Sequence, residues 1–312
     1  MNLSITLQNK EEIDDQIADI LTSNNRNSSR AKINMLLEIF YEAMLIETLE
    51  QELVRQNQIS PQLMKTFSII IPAYNEEKRI GQTIRDLEAN VPDISEIIVI
   101  FDGNDYTPEI AQQAGKKVKV VRFDQRLGHG GAVFEGIRRA EGEVICFIDA
   151  DGAAPWYEVL RICSLVDENR PVVFGSRWAT GAKIRQKENL RNVIGGRIYH
   201  YLAFAILGVK EKDSFCGLKA FKKDIALELA NKVTLTDRTF NIAISYHLKL
   251  MGIRPSEVGI EWSHRDGTQL PVGIKVVAVM FLTLLGLRFI HNTNNHKFKK
   301  IIIGLRQKIR FY

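Results

Sequence analysis

Glu143-Val144-Ile145-Cys146-Phe147-Ile148 runs without interruption into Asp149-Ala150-Asp151-Gly152. Six residues rich in β-branched and aromatic side chains read as a buried strand, and Gly152 marks the turn that ends it. The same pattern occurs twice upstream. Phe67–Ile71 (FSIII) is followed by Pro72-Ala73-Tyr74-Asn75-Glu76, and Glu96–Phe101 (EIIVIF) by Asp102-Gly103-Asn104-Asp105. Two further short runs, 117–123 (KVKVVRF) and 171–175 (PVVFG), complete a set of five expected strands. Amphipathic segments at 77–90, 107–115, 130–140 and 156–168 lie between them. Strands alternating with helices predict an α/β fold, a mostly parallel central sheet covered on both faces. In such sheets ligands bind beyond the carboxyl ends of the strands, so the three acidic clusters are expected on one rim.

Crowded carboxylates repel one another unless a cation or a set of donors offsets the repulsion. Two aspartates flanking a small residue just after a buried strand suit a hard divalent ion, with phosphate oxygens completing its shell. Asp149 and Asp151 are therefore the expected ligands of Mg or Mn.

Outside this core the chain changes texture. Residues 1–65 read as a helical extension, with Ile33, Leu37, Phe40 and Met44 at helical spacing, and Ser60-Pro61 ends it. Packing or assembly into a homo-oligomer through these helices is the expectation there. Residues 66–270 form the expected catalytic domain, and 271–312 an amphipathic, basic segment. The net charge is +5, yet seven Lys or Arg and no acids lie between Arg288 and Tyr312, so the rest of the chain stands at 5 − 7 = −2. A basic end on a near-neutral body points to an anionic surface rather than to nucleic acid. The uncharged runs 198–209 and 276–287 are too short to span a bilayer, which takes roughly 20 residues. They read either as buried helices or as helices lying in a membrane interface, and the basic tail favours the second. Cys146, Cys163 and Cys216 are odd in number and lack CxxC spacing, so neither a disulfide framework nor a structural zinc site is expected. The opening MNLSITLQNKEE carries no signal-peptide pattern.

Taken in order, the motifs resemble family 2 glycosyltransferases with the GT-A, Rossmann-like nucleotide-sugar fold. More narrowly they are similar to polyprenyl- or dolichyl-phosphate mannosyl- and glucosyltransferases, over residues 67 to about 270. Pro72–Glu76 resembles the family's first nucleotide-binding strand end, Asp102 its base contact, and Asp149 with Asp151 its metal-binding Asp-x-Asp. Arg126-Leu127-Gly128-His129-Gly130-Gly131-Ala132 resembles its glycine-containing loop, with His129 where Lys is commoner. Gly175-Ser176-Arg177, Asp213–Phe221 and Trp262–Thr268 resemble the segments around the acceptor site and the end of the catalytic domain. Ala153 stands where some relatives have Gln, and Gly195 where some have Ser.

The resemblance implies an enzyme that transfers a hexose, with inversion, from a GDP- or UDP-sugar to a polyprenyl phosphate. Unlike membrane-spanning relatives, it would be held by the short apolar runs and basic tail, peripherally on the cytoplasmic side of a membrane. Pro72, Tyr74, Glu76, Asp102 and Asp149 are expected to hold the donor. Arg177, Arg191 and Lys219 are expected to clamp the acceptor phosphate, arginine suiting phosphate oxygens in bidentate fashion. A lipid phosphate is already ionised near neutral pH and needs no base, whereas a hydroxyl acceptor would. Asp151, Arg177 and Asp213 are the expected catalytic residues, and Asp213 would be the base if the acceptor were a soluble hydroxyl. A non-catalytic nucleotide-sugar-binding scaffold is the remaining alternative. The bland readings make Arg191 a solvated residue, Lys219 a partner of Asp213, His129 and His264 structural hydrogen-bonders, and the glycines at 128, 130 and 131 a tight turn before a helix.

Overall fold

The strand-end rule can be tested on the backbone. The computed structural model describes residues 65–186, 190–265 and 274–292, with backbone alone at 190–192, 194, 274–279 and 290–292. The chain divides into two compact units, Met1–Met64 and Lys65–Tyr312. The first unit, and with it the expected assembly helices, lies outside the described residues.

Strand β1 (Phe67–Ala73) runs parallel to β2 (Ile94–Phe101) on one side and to β4 (Val144–Phe147) on the other, and β2 is parallel to β3 (Val118–Arg122). Helices α1 (Ile80–Asn90), α2 (Thr107–Ala114), α3 (His129–Arg139) and α4 (Trp156–Ser164) connect them and continue beyond β4 to β5 (Val172–Ser176). The alternation expected from the sequence is present, with helix starts shifted by up to three residues.

Because side chains alternate along a strand, each buried strand feeds two cores. Ile69 and Ile71 join Ile97, Val99 and Cys146 under α1 and α4, while Ile70 joins Ile98, Ile100 and Phe147 under α3. Register then fixes the site: Ala73 lies opposite Phe101 and Ile70 opposite Phe147, so the chain leaves β1, β2 and β4 on the same edge.

Beyond β4 the order departs from the simple parallel expectation. The sheet has seven strands in the order β3-β2-β1-β4-β7-β5-β8, and β7 (Lys219–Lys222) is antiparallel to both neighbours. Four residues bounded by lysines carry little β signal, and pairing on both sides supplies what the local sequence lacks. Strand β8 (Ser256–Gly259) runs parallel to β5, and β6 (Lys183–Gln186) pairs with β9 (Glu261–Ser263) in a separate ribbon.

Helices α6 (Lys223–Lys232) and α7 (Phe240–Leu250) close the α3 face of the sheet. On that side α5 (Leu190–Leu207) and α8 (Ile274–Asn292) pack against each other, and the Tyr199 hydroxyl donates to the Met280 carbonyl at 3.4 Å. These two helices contain the apolar runs left open by the sequence. Tyr199, Ala203 and Leu207 of α5, with Leu284 and Leu287 of α8, sit in the core. Ile198, Tyr201 and Phe204 of α5 and Phe281 of α8 remain exposed. Each run thus combines a buried face with an outward apolar one. Among the described residues no helix is long and apolar enough to cross a membrane.

Candidate active site

At the end of β1, Asn75 adopts φ 57°, and its Oδ1 accepts the Asn104 N–H at 2.9 Å. Gly103 fills the space beneath: a Cβ there would lie 2.9 Å from the Asn75 nitrogen, closer than side chains tolerate. The β1 and β2 ends are thereby sewn together.

Asp102 follows β2 and is buried. Its Oδ2 accepts the Leu127 N–H at 2.8 Å and the Gly128 N–H at 3.1 Å, and its Oδ1 accepts Arg126 Nη1. The Arg126 guanidinium lies 3.4 Å from the centre of the Tyr74 ring, a cation–π stack at the rim. The Gly130 and Gly131 N–H groups donate to the Thr236 carbonyl at 2.7 and 3.2 Å. These amides are engaged inside the protein, so the glycines serve a tight turn and close packing, as the bland reading held.

The acidic rim lies beside this loop. Glu76 receives Arg79 in a bidentate pair, both bonds 2.7 Å. Burial pushes the Glu76 carboxyl up, Arg79 pulls against it, and Asp151 and Asp149 add to the rise. Asp151 is also raised, by burial first and then by the charge of Asp149. Three carboxylates therefore feel one another across a shared space. Thr83 of α1 holds the loop by donating to the Ala150 carbonyl at 3.0 Å, and Ala153 N–H donates to Asp151 Oδ1 at 3.0 Å. Asp149 rests on Gly217, where a Cβ would meet its Cγ at 2.5 Å.

Among the described residues no group of three or more His, Cys, Asp or Glu forms a metal cage. Two hard carboxylates, each facing like charge, still fit a divalent ion whose remaining ligands come from a substrate's phosphate oxygens.

The acceptor end differs from expectation at Asp213 and Lys219. Asp213 is buried and accepts Arg177 N at 2.9 Å, Nε at 2.8 Å and Nη2 at 2.9 Å. Burial pushes its carboxyl up, but Arg177 outweighs that and holds it below the usual range. A carboxylate so stabilised as an anion is a poor base, and its geometry makes it the counterion of Arg177. Lys219 is wholly enclosed, not at the rim. Its Nζ donates to the Cys216 carbonyl and, at 2.7 Å, to Asn241 Oδ1, over the rings of Phe147 and Phe174. Burial pushes it down to about 8. An inward-facing position on β7 puts Lys219 in the core, out of reach of an acceptor phosphate, and its partners are not Asp213. Arg191 lies on α5, and its side chain is outside the described residues.

Several supporting contacts do not follow from the sequence. The Arg177 guanidinium sits 5.2 Å from the Trp262 ring centre, and Ser263 N–H donates to the Ala153 carbonyl at 2.9 Å, tying β9 to the Asp151 loop. Arg126, Arg79 and Gly217 each support a predicted residue, yet their sequence signals are those of ordinary surface arginines and a turn glycine. The three cysteines are buried and free.

Residues 68–229, just over half of the chain, match the family model Glycosyl transferase family 2. The chain is 26% identical over 248 residues to the dolichyl-phosphate beta-glucosyltransferase of Dictyostelium discoideum, covering 70% of this chain and 75% of that protein. It is 29% identical over 223 residues to the Drosophila melanogaster dolichyl-phosphate beta-glucosyltransferase, with 65% and 68% covered. The fold is shared with Mycobacterium tuberculosis glucosyl-3-phosphoglycerate synthase, solved with Mn2+, UDP and glucosyl-3-phosphoglycerate. There the TM-score is 0.51 at 18% identity, covering 72% of this chain and 78% of the other. The chain belongs to glycosyl transferase family 2 and is a glycosyltransferase.

Proposed function

We propose that this family 2 glycosyltransferase moves a glucose-type hexose from UDP-hexose to a polyprenyl (dolichyl-type) phosphate. The observation that carries the reading is the acidic rim of Glu76, Asp149 and Asp151 beside Tyr74 and Asp102. Of the two sugars named by the resemblance, glucose is the one in the names of the relatives above.

Lone-pair accounting at Asp102 supports uracil over guanine. A carboxylate has about four acceptor sites. Oδ2 already takes two backbone N–H groups and Oδ1 takes Arg126, which leaves one acceptor site. Uracil offers a single N–H on its pairing edge. Guanine offers two adjacent donors and would leave one unsatisfied, at a cost of about 1–3 kcal/mol when buried.

Asp149 and Asp151 are the residues that would hold a divalent cation, Mg or Mn. When bound, the cation supplies charge neutralisation to the departing diphosphate. Asp149 is oriented by its seat on Gly217 and Asp151 by the Ala153 amide. Arg177, fixed by Asp213, and Arg191 on α5 orient the acceptor phosphate. A phosphate oxygen then attacks the anomeric carbon from the face opposite the diphosphate. The new carbon–oxygen bond forms as the bond to the diphosphate breaks, UDP leaves, and the configuration inverts. No proton has to be removed, which agrees with an Asp213 committed to Arg177 and speaks against the soluble-hydroxyl alternative.

The outward apolar side chains of α5 and α8, together with the basic tail, support peripheral attachment to an anionic, cytoplasm-facing leaflet. The test is a panel of UDP- and GDP-hexoses incubated with a polyprenyl phosphate and Mn2+, read by mass spectrometry of the lipid. A hexosyl phosphoprenol formed from UDP-glucose is the expected product. Transfer only to polyprenol or to soluble hydroxyl acceptors would overturn the reading.

A further inference from the structure

His129 opens α3 at the edge of the acidic rim, and its surroundings leave it chemically unfinished. Its Nε2 is buried and has no hydrogen-bond partner among the described residues. The nearest carboxylate oxygen, Asp149 Oδ1, is 3.5 Å away, too far for a good bond. The ring packs tilted by 39° against Phe240, centres 5.3 Å apart, and that phenyl in turn meets Phe134 and Phe147. A rigid, buried, unpaired imidazole nitrogen is costly, and its persistence calls for a ligand.

A second unfinished group lies next to it. Segment 235–240 is pressed against the glycine loop: Gly130 and Gly131 donate to the Thr236 carbonyl, and a Cβ on Gly130 would meet the Leu235 carbonyl at 2.8 Å. Arg238 stands in that segment, half-buried, two residues before Phe240. Among the described residues its guanidinium makes no hydrogen bond or ion pair. A guanidinium with no partner among the described residues, whose charge acts on a partly exposed histidine 3.5 Å from Asp149, is suited to an anion and unsuited to a further metal ligand.

We infer that His129 and Arg238 form a phosphoryl-oxygen subsite at the edge of the acidic rim, with His129 donating from Nε2–H and Arg238 supplying the charge. Of the positive charges that act on the ring, that of Arg238 is the largest, ahead of those of Lys219 and Arg126. The bound oxygen comes either from the diphosphate of the donor or from the phosphomonoester of the acceptor. The inference rests on the proposed nucleotide-sugar and lipid-phosphate reading, and it adds residues to which that reading gives no role.

The experiment measures binding to the full chain by calorimetry in Mn2+, with UDP, uridine and farnesyl phosphate as probes. Wild type is compared with His129→Phe, which keeps the ring volume, His129→Lys, which keeps a donor, and Arg238→Gln. Each lost charge-assisted hydrogen bond is expected to cost about tenfold or more in affinity. If the donor diphosphate is the ligand, His129→Phe and Arg238→Gln weaken UDP and leave uridine and farnesyl phosphate unchanged. If the acceptor is the ligand, farnesyl phosphate weakens and UDP does not. In both cases His129→Lys retains most of the wild-type affinity. Unchanged UDP and farnesyl phosphate binding in both variants overturns the subsite while leaving the functional reading intact, and an equal loss for uridine overturns it too, as a packing defect. A wild-type protein that binds neither phosphate overturns both.

Discussion

Gly217→Ala is a one-methyl test of how the acidic rim is built. Gly217 has no left-handed backbone angle to protect, so alanine is tolerated by the chain itself. The added Cβ would lie 2.0 Å from Asp149 Oδ2, whereas ordinary contacts begin at 3.4 Å. The difference, 3.4 − 2.0, obliges the carboxylate to retreat by about 1.4 Å. A displacement near 1 Å at a reacting centre costs on the order of 10²-fold in rate. The Asp149 side chain is 40% exposed, so it can swing toward solvent, and stability should change by less than about 1 kcal/mol. The assay is steady-state transfer from UDP-glucose to polyprenyl phosphate across a Mn2+ titration, with a thermal melt alongside. We expect kcat/KM to fall by about 10²-fold, a higher Mn2+ requirement, and a melting temperature within a few degrees of wild type. Unchanged turnover and Mn2+ dependence in a normally folded G217A would refute the idea that Asp149 needs its present position.

Asp102→Asn should raise KM for UDP-glucose by roughly tenfold with little change in kcat, because the base is remote from the bond being broken. Equal loss for a donor lacking the base would contradict that assignment. Lys219 has a folded-state pKa of about 8, below its ordinary 10.5, so between these values the unfolded chain binds more protons. Stability should therefore rise as pH increases from about 8 toward 10.5, and Lys219→Met should flatten that rise in urea-denaturation midpoints. Replacing Tyr201 and Phe204 together by Ser should weaken sedimentation with anionic phospholipid vesicles by about tenfold or more without altering UDP binding. Vesicle binding that persists would move the contact elsewhere on the chain.

The amino-acid sequence carried much of this site, and the reasons are local. Strands β2 and β4 are buried on both faces, so continuous Val and Ile runs announce them, and parallel register then brings Asp102, Asp149 and Asp151 to one edge. Asp213 and Lys219 were harder to place. The role of Lys219 depends on which way a short antiparallel strand faces, and β7 has too few residues to show an alternating pattern, while Asp213 lies in the turn before it. Lys219 points into the core and Asp213 turns to Arg177, and neither follows from spacing. His129 and Arg238 are 109 positions apart, and only the packing of segment 235–240 on the glycine loop makes them neighbours. The runs on α5 and α8 were ambiguous for a physical reason: they are apolar on both faces, so periodicity does not separate the side that meets Leu284 and Leu287 from the side that exposes Tyr201.

The central claim is that Asp149 and Asp151 neutralise a departing nucleoside diphosphate through one cation while a lipid phosphate takes the sugar. Its most direct measurement follows glucose from UDP-glucose into polyprenyl phosphate for wild type, Asp149→Asn and Asp151→Asn, each with Mn2+ and with EDTA. The account predicts glucosyl phosphoprenol from wild type with Mn2+ alone, and a loss of at least about 10²-fold with EDTA or in either variant. Undiminished product in EDTA, or from both variants, would contradict it.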